Sequence, residues 1–246
     1  MVMKLIVLIL FTLVVNILNA QNFFLATNQF TTSFYNPSKN KLVLDAYYLN
    51  EFFIKEWNKK GVSVCYTKNK SSILTQLQRK GNSKFSENIF SIIYSQILSP
   101  KLRISLGNRT FTTQQQEYKN STNPIFPFIC LNVKPTKIIE VMLCAETIKK
   151  GILPDKINVL IKRKFSEKLH LLVGASFSND NYFSFSTGVL YKVIDNLDLE
   201  LNINTGMFPA HFGIKYTYKK NTIIISNKFH QLLGQSIGAQ IQFIII

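Results

Sequence analysis

Apolar and polar residues alternate along most of this chain, and this period of two constrains its fold more than any other feature. In residues 197–204 the apolar positions are Leu197, Leu199, Leu201 and Ile203, and the residues between them are Asp198, Glu200, Asn202 and Asn204. Successive side chains of a β-strand point to opposite faces of the sheet, so such a segment forms a strand with one apolar and one polar face. The pattern predicts an all-β protein.

The alternation divides the chain into fourteen predicted strands. They lie near residues 41–54, 61–68, 72–79, 86–98, 102–112, 125–134, 138–148, 156–165, 169–178, 182–193, 197–206, 211–219, 222–229 and 235–243. An even count is typical of bacterial single-chain barrels, and fourteen tilted strands with their connections need roughly 205 residues. We therefore expect a single transmembrane, antiparallel, up-and-down β-barrel over residues 41–246.

The connections between these strands follow a second regularity. Every second connection is tight, as at 99–101, 166–168 and 194–196, whereas the other set includes the longer segments 113–124 and 149–155. Bacterial barrels have short periplasmic turns and longer extracellular loops. The order of short and long connections therefore predicts that both ends of the barrel lie in the periplasm.

Residues 1–20 predict a secretory signal peptide that is cleaved before Gln21. A short positive start precedes an apolar run over residues 5–15, and the small residue Ala20 ends the segment. The run is shorter than the ~18 residues of a transmembrane helix, and no later apolar stretch approaches that length. An uncleaved anchor is the alternative for this segment. A barrel in the cell outer membrane or a secreted soluble all-β protein, such as a β-sandwich, fits these features.

Residues 21–40 show no clear strand period. A barrel of fourteen strands is wide enough to enclose a lumen. We expect this segment to fold into the lumen as a plug, and the alternative is a disordered periplasmic tail. The packing anchors of the plug are then Phe23, Phe24, Phe30 and Phe34.

The chain is strongly basic, with 29 Lys and Arg against 13 Asp and Glu and a net charge of +16. Such a balance in a cytosolic protein indicates nucleic acid, but the export signal argues against that partner. Several lysines fall at connections that the topology places outside the cell, where ammonium groups can contact lipopolysaccharide phosphates. A solvated loop surface is the alternative. The candidate contacts are Lys59, Lys60, Lys80, Lys149 and Lys150.

No motif for catalysis, a cofactor or a metal emerges from the sequence. The three histidines, His170, His211 and His230, lie far apart, and Glu140 and Glu146 share one strand face as a solvated lumen pair. We expect no enzyme activity and no cofactor. The three cysteines, Cys65, Cys130 and Cys144, show no disulfide framework. Cys130 and Cys144 can pair in an oxidising compartment, but we favour separate small apolar side chains.

The C-terminal segment 230–243 resembles the closing hairpin of the PorV/PorQ-like group of Bacteroidota outer-membrane barrels. These barrels are associated with type IX secretion and share the fold of fatty-acid transport porins. The chain departs from the group in its few glycines, its positive charge and the three isoleucines after Phe243. The residues that carry the resemblance are His230, Leu233, Gly234, Ser236, Gly238 and Phe243, with Asn36 and Pro37 resembling an Asn-Pro-Ala element of the group.

The resemblance implies a structural or accessory role, with subunits of the type IX secretion machinery as partners beside outer-membrane lipid and lipopolysaccharide. The first alternative is porin-like passage of small or apolar solutes, and the second is a secreted soluble all-β protein. A contiguous apolar pocket in the lumen favours passage. A plugged lumen with an exposed partner surface favours the accessory role.

Overall fold

In a computed structural model of the protein, the described residues form one antiparallel sheet. These residues are 41–51, 53–54, 58–82, 84–115, 118–122, 125–147, 154–178, 183–205, 210–230 and 234–245. The predicted signal peptide (1–20) and plug (21–40) lie outside them. Within these ranges no helix is long and apolar enough to cross a membrane.

Fifteen strands make up the sheet. They are β1 (Lys41–Asn50), β2 (Lys59–Lys68), β3 (Ser71–Gly81), β4 (Phe85–Ser99), β5 (Leu102–Gln115), β6 (Tyr118–Thr122), β7 (Phe126–Val133), β8 (Ile139–Glu146), β9 (Lys156–Lys164), β10 (Leu169–Ser178), β11 (Phe183–Ile194), β12 (Leu197–Asn204), β13 (Ala210–Tyr218), β14 (Asn221–His230) and β15 (Gly234–Ile244).

Fourteen of these strands close into a ring. Each pairs antiparallel with its neighbours in sequence, β5 pairs with both β4 and β7, and β15 pairs with β1. The strand β6 pairs with β5 alone and lies outside the ring. The prediction of a closed up-and-down barrel of fourteen strands is confirmed.

One predicted connection differs from the structure. The segment 113–124, expected as a loop, instead extends β5 to Gln115 and then folds back as β6. Residues 110–113 are Thr, Phe, Thr and Thr, which all favour extended backbone. This composition lets β5 continue beyond Arg109, its last residue paired with β7, while β4 still pairs with it as far as Gln115.

The outer face of the barrel is an apolar belt. Side chains such as Leu77, Leu201 and Ile225 point outward, and Ile225 is 53% exposed. In water this much contiguous apolar surface is unfavourable, whereas in a bilayer it faces hydrocarbon. The inward positions of the same strands include buried serines and asparagines, such as Ser91 and Asn202. The two faces are those of a transmembrane barrel with a polar interior.

Some inward glycines lie beneath large side chains of the neighbouring strand. Gly107 of β5 is opposite Phe128 of β7, and a Cβ at Gly107 would lie 2.4 Å from the Phe128 ring and 2.8 Å from the carbonyl oxygen of Ile92. Gly213 of β13 is different, because a Cβ there meets its nearest atom at 3.5 Å. An aromatic ring that covers a glycine also fixes strand register.

We expect Gly107→Ala to destabilise the barrel and Gly213→Ala to leave its stability nearly unchanged. The added methyl at position 107 must displace the ring of Phe128 and a backbone oxygen, and such overpacking costs about 1–3 kcal/mol. Equilibrium unfolding of both variants in lipid vesicles measures the difference. Equal unfolding midpoints for the two variants would show that the Phe128 ring does not restrict this position.

Candidate functional site

The barrel interior contains a cavity of about 460 Å³. Residues of strands β7 to β15 line it, and it extends to the end of the barrel where the connections are tight. We call this end the short-turn end. The inward side chains of these strands therefore decide what the cavity can hold.

One wall of the cavity is apolar. Met142, Leu160 and Leu172 form a buried cluster on the adjacent strands β8, β9 and β10, and Leu190 of β11 packs against it. Met142 lies opposite Leu160 in the β8–β9 ladder. We call these four side chains the apolar wall. A polar barrel interior does not need such a surface, so it is a candidate contact for an apolar ligand.

The other lining residues include charged groups in complementary pairs. Lys215 lies opposite Asp198, and its Nζ is 3.3 Å from the carboxylate. Glu140 lies opposite Lys162 and accepts a hydrogen bond of 2.7 Å from Asn132 Nδ2. The strand register thus places opposite charges side by side, which keeps them in the interior at small cost.

A third polar group lies deeper along the same lining. Glu200 accepts a hydrogen bond from Asn202 Nδ2, and the Nδ1 of His211 is 4.0 Å from the carboxylate. His211 and Asn202 are opposite each other on β13 and β12. The cavity thus combines an apolar wall with a strip of charged and polar groups.

Glu140 and Glu146 both point inward, as their shared parity predicted. The structure gives them separate partners, because Glu146 forms an ion pair with Arg109 of β5. The described residues contain no group of three side chains suited to hold a metal ion. The absence of enzyme activity stays a prediction.

The two cysteines that were expected to be separate are joined. Cys130 of β7 lies directly opposite Cys144 of β8, and a disulfide links them inside the barrel. The preference for unpaired side chains was wrong, because the hairpin around residue 137 brings residues equally distant from that point together. Cys65 is a free, buried thiol.

The lysines proposed for lipopolysaccharide contact lie in different surroundings. Lys59 is directed inward and its Nζ is 2.6 Å from Glu51, whereas Lys60 is exposed. Lys80 is half-buried, and Lys149 and Lys150 lie outside the described residues. Contact with lipopolysaccharide stays a prediction, and Lys60 is the described residue that fits it best.

The residues of the family resemblance occupy the hairpin that closes the barrel. His230 ends β14, and Gly234 begins β15 with a φ of 85°, a backbone conformation that glycine adopts readily. Ser236 is buried and Phe243 points outward. Gly238 lies close to Ser226 on β14. Leu233, Asn36 and Pro37 lie outside the described residues, as do the plug anchors.

The apolar wall was not anticipated from the sequence, although a signal for it exists. Residues 171–173 are Leu, Leu and Val, so β10 is apolar on both faces at this point. A strand that faces a water-filled lumen should alternate apolar and polar residues there. The interruption of the alternation marks one place where the lumen becomes apolar.

No protein-family model matches this sequence, and no curated protein sequence is significantly similar to it. Solved structures do share its fold. The outer membrane protein Omp33 of Acinetobacter baumannii superposes with a TM-score of 0.59 at 8% identity, covering 85% of this chain and 100% of that chain. The CymD monoaromatic hydrocarbon channel gives 0.62 at 9% identity, over 87% and 92% of the two chains.

A mutant of the Rh. blastica porin is also similar, with a TM-score of 0.50 at 8% identity over 84% of this chain and 99% of that chain. At such low identities the likeness concerns the fold. The protein thus has the fold of the outer-membrane barrels of porin and channel type. Membership of the PorV/PorQ-like group stays a prediction.

Proposed function

We propose that this protein is an outer-membrane channel that passes small solutes with an apolar body. The observation that carries the proposal is the apolar wall, Met142, Leu160, Leu172 and Leu190, inside the cavity of about 460 Å³. Ligand cavities of roughly 300–1,000 Å³ are the usual size for small molecules. The lumen thus has room for one small solute at a time.

The two kinds of lining have complementary roles in passage. The apolar wall removes part of a solute from water, at about 25 cal/mol for each Å² of apolar surface buried. The charged groups on the opposite side of the cavity, Lys215, Asp198 and Glu200, stay hydrated. They therefore limit how much binding free energy the solute gains. A site of this kind binds strongly enough to admit a solute and weakly enough to release it.

Two further observations support the proposal. The apolar outer belt fits a barrel that is embedded in the outer membrane. One structure of the same fold is named as a channel for monoaromatic hydrocarbons. A small aromatic or aliphatic molecule with at most one polar group is therefore the solute class that we propose.

The paired change Leu160→Asn and Leu172→Asn should reduce passage of a small aromatic solute about tenfold. The two amides replace half of the apolar wall, and a loss of about 1.4 kcal/mol in the contact free energy with the solute corresponds to a factor of ten. Uptake of radiolabelled toluene-sized aromatics into proteoliposomes, relative to a small sugar, measures the effect. Sugar uptake should stay the same or rise.

Gln240→Asn is the matched control, because it changes a polar residue of the same cavity. It should leave the ratio of aromatic to sugar uptake unchanged. If the paired leucine variant lowers both rates equally, or neither, the apolar wall does not select the solute.

The accessory role at the type IX secretion machinery is a second proposal. It rests on the sequence resemblance of the closing hairpin from His230 to Phe243, whose two strands pair antiparallel. Cross-linking in intact cells should then connect the barrel to a larger outer-membrane assembly.

Deletion of residues 22–38 tests whether the N-terminal segment is a plug in the lumen. Removal of a plug raises single-channel conductance, whereas removal of a periplasmic tail does not.

A further inference from the structure

The short-turn end of the barrel is ringed by lysines. Six tight connections lie at this end, and five of them contain at least one exposed lysine. We call these lysines, apart from Lys134 next to the end of β7, the lysine rim. Its members are Lys70, Lys101, Lys137, Lys168, Lys219 and Lys220.

The acidic residues at this end form their ion pairs with lysines outside the lysine rim. The two acidic residues in these turns are Glu167 and Asp195, which bind Lys164 at 2.6 Å and Lys192 at 2.8 Å. The hydrogen bonds from these lysines lower the pKa of both carboxyl groups, so the acids stay ionised and remain with their partners. Among the described residues, none of the six rim lysines forms an ion pair.

Outward-facing aromatic side chains lie close to the lysine rim on several strands of the barrel. Their exposed fractions lie between 44% and 58%, so the rings face the surroundings of the barrel. Aromatic girdles of this kind mark the boundary between hydrocarbon and headgroups. The girdle at this end consists of Tyr66, Tyr94, Phe165, Tyr191, Tyr218 and Phe243.

Cations at this end lie against the aromatic girdle. Lys219 Nζ is 5.4 Å from the ring centre of Tyr218, and the Arg163 guanidinium is 4.7 Å from that of Phe165. These cations therefore occupy the lipid side of the wall, at headgroup level. Lys219 also has a φ of 53°, a left-handed conformation that costs a lysine more than a glycine.

We propose that the lysine rim binds the phosphate groups of anionic phospholipids in the leaflet at the short-turn end. Exposed ammonium groups near the level of interfacial aromatic rings, with Lys219 directly beside one, match a phosphate headgroup in both charge and depth. An acidic protein partner fits the charge but does not explain why cations lie against lipid-facing rings. The rim thereby fixes the depth of the barrel in the membrane.

Native mass spectrometry of the folded, delipidated barrel tests the proposal. The protein is mixed with equal amounts of phosphatidylglycerol and phosphatidylcholine that carry the same acyl chains. We expect bound phosphatidylglycerol to exceed phosphatidylcholine about fivefold, because each lysine near an anionic surface contributes about 1 kcal/mol. The triple variant Lys101→Gln, Lys168→Gln and Lys219→Gln removes half of the lysine rim and should reduce the excess to about twofold.

The control removes two exposed cations at the opposite end that are not candidate lipopolysaccharide contacts, Arg79→Gln and Lys84→Gln. It should keep the fivefold preference. Equal binding of both lipids by the unmodified protein would overturn the proposal and favour an acidic protein partner. An unchanged preference in the rim variant would also overturn it.

If the rim variant does not fold, the effect of salt on the lipid preference of the unmodified protein tests the proposal instead. A preference that is based on charge must weaken as ionic strength rises from about 0.05 to about 0.5 M, since the screening length becomes shorter over this range. A preference that stays constant over this range would contradict the proposal.

Discussion

Ile225→Arg should destabilise the barrel by about 2–4 kcal/mol, whereas Ile224→Arg should cost less than about 1 kcal/mol. The two isoleucines are neighbours on β14, but Ile225 points outward and is 53% exposed, while Ile224 lines the cavity. Both lie near the middle of the strand. An arginine on the outer face must enter hydrocarbon, and one on the inner face reaches lumen water.

Equilibrium unfolding in lipid vesicles measures both free energies under the same conditions. The inner variant provides the control, because it introduces the same side chain one residue away. Its extra charge lies beside Lys215 and Gln240 and should shift ion selectivity toward anions. Equal costs for the two variants, or a larger cost for Ile224→Arg, would contradict the assignment of the two faces.

The strands were predictable because alternation and turn residues act locally. The segment 197–206 was predicted as a strand, and β12 spans Leu197–Asn204. Its turn, Asp195 and Asn196, has residues that favour tight turns. A one-residue slip would turn every apolar side chain of the strand into the lumen, so the pattern also specifies the register.

Contacts between strands that are not direct neighbours in the sheet could not be predicted from alternation and turn residues. Arg109 on β5 and Glu146 on β8 form an ion pair although β7 lies between their strands. Their meeting depends on two successive registers and on the reach of the arginine side chain. Alternation identifies both residues as inward but does not pair them.

The disulfide is intermediate in predictability between a single strand and a contact across two strand pairings, because its formation depends on the register of one hairpin. Once β7 and β8 are joined around residue 137, Cys130 must lie opposite Cys144. Cysteine counting ignores this geometry and therefore favoured the wrong answer. Cys130 also packs against the buried cluster that contains Val43, and Cys144 packs against the apolar wall. The bond thus connects two apolar regions of the interior.

Removal of this bond should lower the free energy of unfolding by about 3 kcal/mol, the value for a closed loop of about 15 residues. The two cysteines are separated by 14 positions. The cross-link restricts the unfolded chain, so the double variant Cys130→Ala and Cys144→Ala loses this restriction. Unfolding in vesicles, followed by the different gel mobilities of folded and heated protein, measures the loss.

A reductant distinguishes the covalent bond from the packing of the cysteines. The unmodified protein should lose stability when reduced, and the double variant should not respond. Cys65→Ala is the control, because it removes the free buried thiol but keeps the disulfide, so its stability should still fall on reduction. Thiol titration of the unfolded protein should find one free cysteine before reduction and three afterwards. Three free thiols without reductant would show that Cys130 and Cys144 are not joined.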